Sequence, residues 1–391
     1  MILSRFRWNN STVLELSRPI TAYVYYRATR HNLITGYPET YPLQKFLDSL
    51  EEKKLQDKVK GHHVYHFHYE LGLILQDLGH SVGDDVPLAI EIEYESARKS
   101  KPGKSRLTSL PFKTLERPMW SEYKEAYRAI QNHLEAGNCY QVNVTYPFDF
   151  ETEENLDPRD IMSYFFSREG LGAFAHATLY HEQLILSNSP ECLFQYRDEE
   201  IWTMPIKGTM KRKGTLNEDW QELKNSEKDE AELSMITDLL KNDLNRLDRP
   251  RAKVLKKRAP LEVPGLLHQY SLLSVKLQKK ISLLHTLRCL FPGGSVTGAP
   301  KKRVMQIIQD LERAPRGIYC GTTLLCYGGK KIASINIRTA QGDLSERLWR
   351  YGAGGGVTLG SNPVHEFQEM EAKVASFLTL IKAPGYSPKP E

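Results

Sequence analysis

Cysteine is scarce in this sequence. Cys139, Cys192, Cys289, Cys320 and Cys326 are scattered, odd in number and without a CxxC pair. That excludes a disulfide frame and a cysteine zinc site, and it points to reduced thiols in a cytoplasm. Long hydrophobic runs are missing too: no stretch could span a bilayer, and Met1-Ile2-Leu3-Ser4-Arg5-Phe6-Arg7 lacks a signal-peptide core. No single charge sign dominates, since the net charge is only +5. The basic runs at 211–213, 256–258 and 301–303 carry no interleaved aromatics, so they read as solvated faces rather than a nucleic-acid track. A small anionic substrate fits that charge equally well. Two nucleotide fingerprints also fail. Gly298 is followed by Ala299-Pro300 instead of a P-loop ending, and Val357 stands where Gly352 to Gly356 would need a dinucleotide-type glycine.

What is present is the composition of a soluble globular protein. Of 391 residues 40% are hydrophobic and 26% charged, enough for a substantial core. Residues 62–70 alternate, with His62, His66, His68 and Glu70 on one face and Tyr65, Phe67 and Tyr69 on the other. A strand with an aromatic core face explains this better than a metal site. Residues 96–110 are basic, with glycine and serine, and read as an exposed loop. Trp120, Tyr123, Tyr127, Ile130 and Leu134 have helical spacing, and Gly137 supplies the stop. Further helices are expected over 229–247, 302–311 and 364–381, the first with Leu233, Ile236, Leu240, Leu244 and Leu247 as its buried stripe. Strands and helices come in blocks, which predicts an α+β fold over a doubly wound sheet.

Five features could carry chemistry. In Pro205-Ile206-Lys207-Gly208-Thr209 a lysine sits at the end of an apolar strand, where desolvation favours the neutral, nucleophilic amine. The alternative is a lysine that snorkels to solvent. The run from Gly293 to Pro300 opens a helix, so it is either an anion site of backbone amides or a tight turn. Gly352 to Gly356 offers backbone that a ligand can approach closely, or a bulged turn. Glu366, Glu369 and Lys373 share one helix face, where the lysine neutralises the carboxylates or a hard cation does, with Glu232 to complete the set. Arg338 lies in an apolar run and needs an anion.

Six ordered segments then resemble the chorismate-utilising enzymes: Ser189-Pro190-Glu191, Pro205-Ile206-Lys207-Gly208-Thr209, Asp238-Leu239-Leu240-Lys241-Asn242-Asp243-Leu244, Gly294-Ser295-Val296-Thr297-Gly298-Ala299-Pro300-Lys301, Ile337-Arg338-Thr339 and Gly352-Ala353-Gly354-Gly355-Gly356. The likeness is strong over 120–381 and weak before it, where Tyr69-Glu70-Leu71-Gly72 is the clearest echo. It implies large antiparallel sheets with flanking helices around a central cleft. Residues 116–391 would form the chorismate-binding catalytic domain, and an atypical region, 1–115, would add strands to the same fold.

The resemblance also implies Mg²⁺-dependent replacement of the substrate's ring hydroxyl, with Glu232 and Glu369 as metal ligands and Glu366 close by. Glu191 resembles the general acid, chemically needed because hydroxide leaves poorly. Gly294, Ser295, Thr297, Gly298, Tyr319, Arg338, Ala353, Gly354, Gly355 and Lys373 resemble the clamp on the substrate's carboxylates. Gly208, Thr209 and His268 line the cleft in relatives. Gln141 stands where water-adding members carry a lysine base, so the chain resembles the ammonia-adding ones. Anthranilate-forming members have Pro-Ile-Ala-Gly-Thr at the opening motif. A lysine there marks those that convert chorismate and ammonia to 4-amino-4-deoxychorismate, through a covalent lysine intermediate, toward para-aminobenzoate and folate. Met370 replaces a common threonine. No amidotransferase or lyase segment is expected in the chain, which implies ammonia from a separate glutamine amidotransferase subunit. The rival readings are an anthranilate-forming component and a non-catalytic module that binds an anionic metabolite.

Overall fold

The computed structural model describes residues 1–57, 61–152, 156–248, 252–263 and 266–383. Every strand pairing among them is antiparallel. The expected α+β layout is the one adopted. One hydrogen-bonded order runs from Lys253–Val263 and Leu266–Lys276 through Glu200–Met204, Cys192–Arg197, Lys330–Ile335 and Thr322–Tyr327. It continues through His62–Phe67, Ala89–Ser100, Val13–Tyr25 and Ile2–Arg7. It then passes through His176–Tyr180, Gln183–Ser187, Thr339–Asp343 and Leu348–Val357 to Gln141–Thr152, which also pairs with Phe112–Glu116 and Gly298–Ala299. The amino-terminal strands therefore lie in the middle of the order, joining its two halves.

Each half has its own core. Ile236, Leu240, Leu244 and Leu247 of the helix Glu227–Leu247 pack with Phe194, Leu273 and Phe291. Met370, Val374, Phe377 and Leu378 of the helix Pro363–Leu380 pack with Val144, Phe148, Trp349 and Tyr351. The 3.6-residue spacing of each apolar stripe sets which face turns inward, and so leaves the remaining polar face free to meet the other half. Among the described residues no helix is long and apolar enough to cross a membrane.

Two local expectations need correction. The basic stretch read as a loop is strand as far as Ser100, because Val13–Tyr25 pairs with it from Val13↔Ser100 onward. Lys99 covers the Trp8 ring there, 4.0 Å from its centroid. The histidine strand stops at Phe67, and Tyr69–Leu75 is helix, so the alternation does not extend to Glu70. His66 is fully buried, with its ring nitrogens 2.8 Å from the Thr323 hydroxyl and 3.0 Å from the Thr178 hydroxyl. Glu70 instead accepts the Gly317 N–H, 3.1 Å away.

Candidate active site

The strand Ile206–Lys211 starts behind Pro205 and pairs with Leu266–Lys276, Lys207 opposite Gln269. The register then slips, so that Thr209 faces His268. Gly208 makes the slip with φ +72°, and a Cβ there would stand 2.7 Å from the Gln269 amide nitrogen. The Thr209 hydroxyl is 2.7 Å from His268 Nδ1. Burial, then the nearby Arg338, hold the His268 ring below the ordinary histidine pKa. The Lys207 side chain is 21% exposed, and its ammonium lies 3.3 Å from Glu232 Oε2. The sequence suggested a bare lysine in an apolar place; the structure gives it a carboxylate partner.

Glu191 precedes the strand Cys192–Arg197 and is pinned by Ser189, whose hydroxyl accepts the Glu191 N–H at 3.2 Å and donates to the Ile335 carbonyl at 2.5 Å. Burial pushes the Glu191 carboxyl up to about 7, although the Ser295 hydroxyl and the Lys207 ammonium pull it back. Such a group exchanges a proton near neutrality, as a general acid must. Gln269 Nε2, opposite Lys207, and Gln141 Oε1, beside the Leu348–Val357 strand, are buried without a hydrogen-bond partner. Unpaired buried polar atoms of this kind call for a ligand or water.

Two glycine segments shape the cleft, each through close approach. In the turn Gly294–Val296, a Cβ on Gly294 would meet Leu239 Cδ2 at 1.7 Å, and one on Gly298 (φ +142°) would meet the Gln141 carbonyl at 2.1 Å. Thr297 is buried and donates to the Gly293 carbonyl at 3.0 Å, so it braces the turn from within. Arg316 holds the same turn from behind, donating to the Val296 carbonyl at 2.6 Å and the Asn143 carbonyl at 2.7 Å while it pairs with Glu312. In the strand Leu348–Val357 the space beside Gly352 is taken by the Tyr319 ring at 2.2 Å, and that beside Gly356 by the Gln141 amide at 1.9 Å. The Ala353 side chain belongs to the second core. Only the space beside Gly355 opens toward the carboxylates, 3.5 Å from Glu366 Oε2.

The polar faces of the two long helices meet here. Ser226 caps Glu227–Leu247, and Asn362 caps Pro363–Leu380. Glu366 is buried, and its Oε1 takes the Ser361 hydroxyl at 2.8 Å and the Lys228 ammonium at 3.1 Å. Lys228 also lies 3.9 Å from Glu232 Oε1. Burial works against the Lys228 ammonium, but Glu366, Glu232 and Glu369 keep its pKa above the ordinary lysine value. Glu369 sits one turn on, at the rim, with Lys373 at 3.0 Å. Burial would raise its pKa, yet Lys373, Lys228 and Lys207 hold it below the usual carboxylate range. Lys373 also donates to the Gly354 carbonyl at 2.8 Å. Arg338, half-buried and with φ 52°, has no ion-pair partner among the described residues, so its guanidinium is available to an anion.

Glu232, Glu366 and Glu369 are hard oxygen donors, the chemistry Mg²⁺ prefers. Among the described residues, however, no three His, Cys, Asp or Glu side chains converge to hold a metal ion. Each glutamate is engaged by a lysine instead, and Lys228 bridges two of them. The donor set fits a divalent cation in kind, with an ammonium standing in at the shared position. Lys228, Gln269 and Arg316 escaped the sequence reading. Lys228 alone left a local signal, being four residues before Glu232 on the same helix face.

A family model described as chorismate binding enzyme matches residues 41–379. Aminodeoxychorismate synthase component 1 of Salmonella typhimurium is 37% identical over 264 residues, 66% of this chain and 57% of its own length. Anthranilate synthase component 1 of Saccharolobus solfataricus is 38% identical over 207 residues, 52% of this chain and 49% of its own. The chain thus spans about half the length of these two relatives. An uncharacterized PabA-like protein of Haemophilus influenzae is 30% identical, over 68% of this chain and 78% of its own length. Among solved structures, anthranilate synthase component I of Streptococcus pneumoniae superposes with TM-score 0.76 at 19% identity, covering 94% of this chain and 92% of that one.

Proposed function

This chain belongs to the chorismate-binding enzyme family, and from that premise we propose that it converts chorismate and ammonia to 4-amino-4-deoxychorismate in the cytoplasm. The observation that carries this reading is Lys207, a lysine inside the cleft within electrostatic reach of a carboxyl that titrates near neutrality. Glu191 gives its proton to the departing ring hydroxyl, which leaves as water. The Lys207 ammonium gives up a proton to solvent and its contact with Glu232, and the free amine forms a C–N bond to a conjugated ring carbon other than the one that loses the hydroxyl, the ring double bonds shifting as the water departs. Ammonia then adds at the carbon that lost the hydroxyl, the C–N bond to Lys207 breaks as the ring double bonds shift back, the freed amine takes up a proton from solvent, and the proton shed by the new amine restores Glu191. Covalent catalysis divides one difficult displacement into two easier ones. Arg338 and the Gly355 backbone receive the substrate's carboxylates, and Gln141, lacking a basic group, leaves water unactivated. Glu232, Glu366 and Glu369 would hold Mg²⁺, which when bound would draw charge from the leaving oxygen and a carboxylate. The names of the component 1 relatives support a second subunit, a glutamine amidotransferase, as the ammonia source.

The 38% identical relative named anthranilate synthase component 1 makes ortho amination the second reading. Incubation with chorismate, Mg²⁺ and an ammonium salt, followed by chromatography, separates the two. Fluorescent anthranilate as the product would overturn the first reading. With chorismate alone, mass spectrometry should find a substrate-derived adduct on Lys207 that is absent from Lys207→Ala. Lack of turnover even with a glutaminase partner would leave a non-catalytic binding module as the better account.

A further inference from the structure

Glu232 carries an ammonium on each of its oxygens. Lys207 stands 3.3 Å from Oε2, and Lys228 stands 3.9 Å from Oε1. From the same helix, Lys228 reaches across to Glu366 Oε1 at 3.1 Å, on the opposite half of the molecule. One ammonium thus lies between a carboxylate of each half. The three side chains differ sharply in exposure: Glu366 is 4% exposed and Glu232 15%, whereas Lys228 is 57% exposed. The carboxylates are fixed in the cleft, but the lysine is a solvent-side chain with only its head inside.

We propose that Lys228 is a displaceable counter-ion of the metal site, which bridges Glu232 and Glu366 in the metal-free protein and swings into solvent when a divalent cation binds. The inference rests on the Mg²⁺ reading of the proposed function and adds to it the residue that competes with the metal. Two carboxylates facing each other across a cleft, one of them buried, repel when no cation lies between them. A lysine suits the intermittent task. Its four-carbon stem is flexible, its head is strongly hydrated, and it binds as a point charge, so departure restores full hydration at little cost. An arginine would grip both carboxylates through a planar fork and would not yield as readily. The exchange keeps the site assembled when empty, at the expense of metal affinity, because each binding event must break the Lys228 contacts.

The test uses the full chain without substrate. Mn²⁺ binding is followed by electron paramagnetic resonance and Mg²⁺ binding by calorimetry, for the wild type, Lys228→Met, Lys228→Arg and the remote control Lys45→Met. Lys228→Met should bind either ion about five- to tenfold more tightly, the size of one partly screened charge interaction. Lys228→Arg should bind more weakly than the wild type, and Lys45→Met should be unchanged. Independently of any variant, acetylation of wild-type Lys228, read by mass spectrometry, should speed up at saturating Mg²⁺ while Lys45 stays constant. Metal binding with unchanged Lys228 labelling, or equal affinities in wild type and Lys228→Met, overturns the displacement and leaves the metal reading intact. If neither ion binds any form, both fall together.

Discussion

Replacing Glu191 by glutamine removes the one carboxyl in the cleft that titrates near neutrality, and the consequence reaches beyond rate. Burial raises its pKa from the ordinary 4.5 to about 7. A carboxyl raised on folding means that the native chain binds the proton more tightly than the unfolded chain. The associated stability is fully present below about pH 4.5 and is lost as pH rises through about 7. Between about pH 5 and about pH 8.5 the loss comes to about 2.5 kcal/mol, at 1.36 kcal/mol per unit of displacement. Glutamine keeps the shape, carries no titrating proton and feels no such loss. Urea unfolding of both proteins, followed by tryptophan fluorescence at the two pH values, isolates the difference, since every other titrating group is common to both. The stability of Glu191→Gln relative to wild type should rise by about 2.5 kcal/mol toward alkaline pH. Two pH dependences that run parallel to within about 0.5 kcal/mol would refute the raised pKa, and with it the assignment of Glu191 as proton donor.

Acid should weaken the fold through the buried histidines. His68 and His176 are held down to about 4 by burial, and His66 lies well below its ordinary value for the same reason. Their stability contribution is present above about pH 6.5 and lost as pH falls toward 4, about 1.4 kcal/mol per pH unit for each, so His176→Gln should show a shallower acid limb in urea titrations. Arg316→Met leaves the Glu312 carboxylate buried opposite no cation and takes from the Val296 carbonyl the shorter of its two donors, leaving Asn143. A loss of about 3–5 kcal/mol is expected in denaturant unfolding. Gly354→Ala places a Cβ 2.2 Å from the Val144 carbonyl, whereas Gly355→Ala places one in open space 3.5 Å from Glu366. The first should lower Tm by several degrees, and the second should keep Tm but raise KM for chorismate.

The parts of this fold legible in the sequence are those written in local periodicity. The stripe from Leu233 to Leu247, the stop at Gly137 and the shared face of Glu366, Glu369 and Lys373 all depend on neighbours a few positions away. The rest depends on partners far along the chain. Nothing near Lys207 announces that Glu232 will face it, or that the slip at Gly208 will turn Thr209 onto His268. The glycine strand was legible as bare backbone, but not that the Tyr319 ring and the Gln141 amide fill most of the bared space. Arg316 looks like one more basic residue in Arg313-Ala314-Pro315-Arg316, yet it buttresses the glycine turn from beneath. The strand Ala89–Ser100 outran its expected end because pairing with Val13–Tyr25 outweighs the loop-like composition of 96–100.

The cleft's own charges bear on how its ligands bind. Lys207, Lys228, Lys373 and Arg338 face Glu191, Glu232, Glu366 and Glu369, so with every group ionised the positive and negative charges cancel. Under the proposed function the incoming ligands are a dicarboxylate and a divalent cation, which also cancel. Either ligand alone upsets that balance in a cleft between two hydrophobic cores. Each should therefore raise the affinity of the other, and by the same factor, because coupling between binding equilibria is reciprocal. A factor on the order of 10 is expected, within the usual range for coupled sites. Calorimetric titration of Lys207→Met, which under the covalent mechanism should bind chorismate without consuming it, measures Mg²⁺ affinity with and without chorismate and then the converse. Equal affinities in the presence and absence of the partner ligand would show that the dicarboxylate and the cation do not share this cleft.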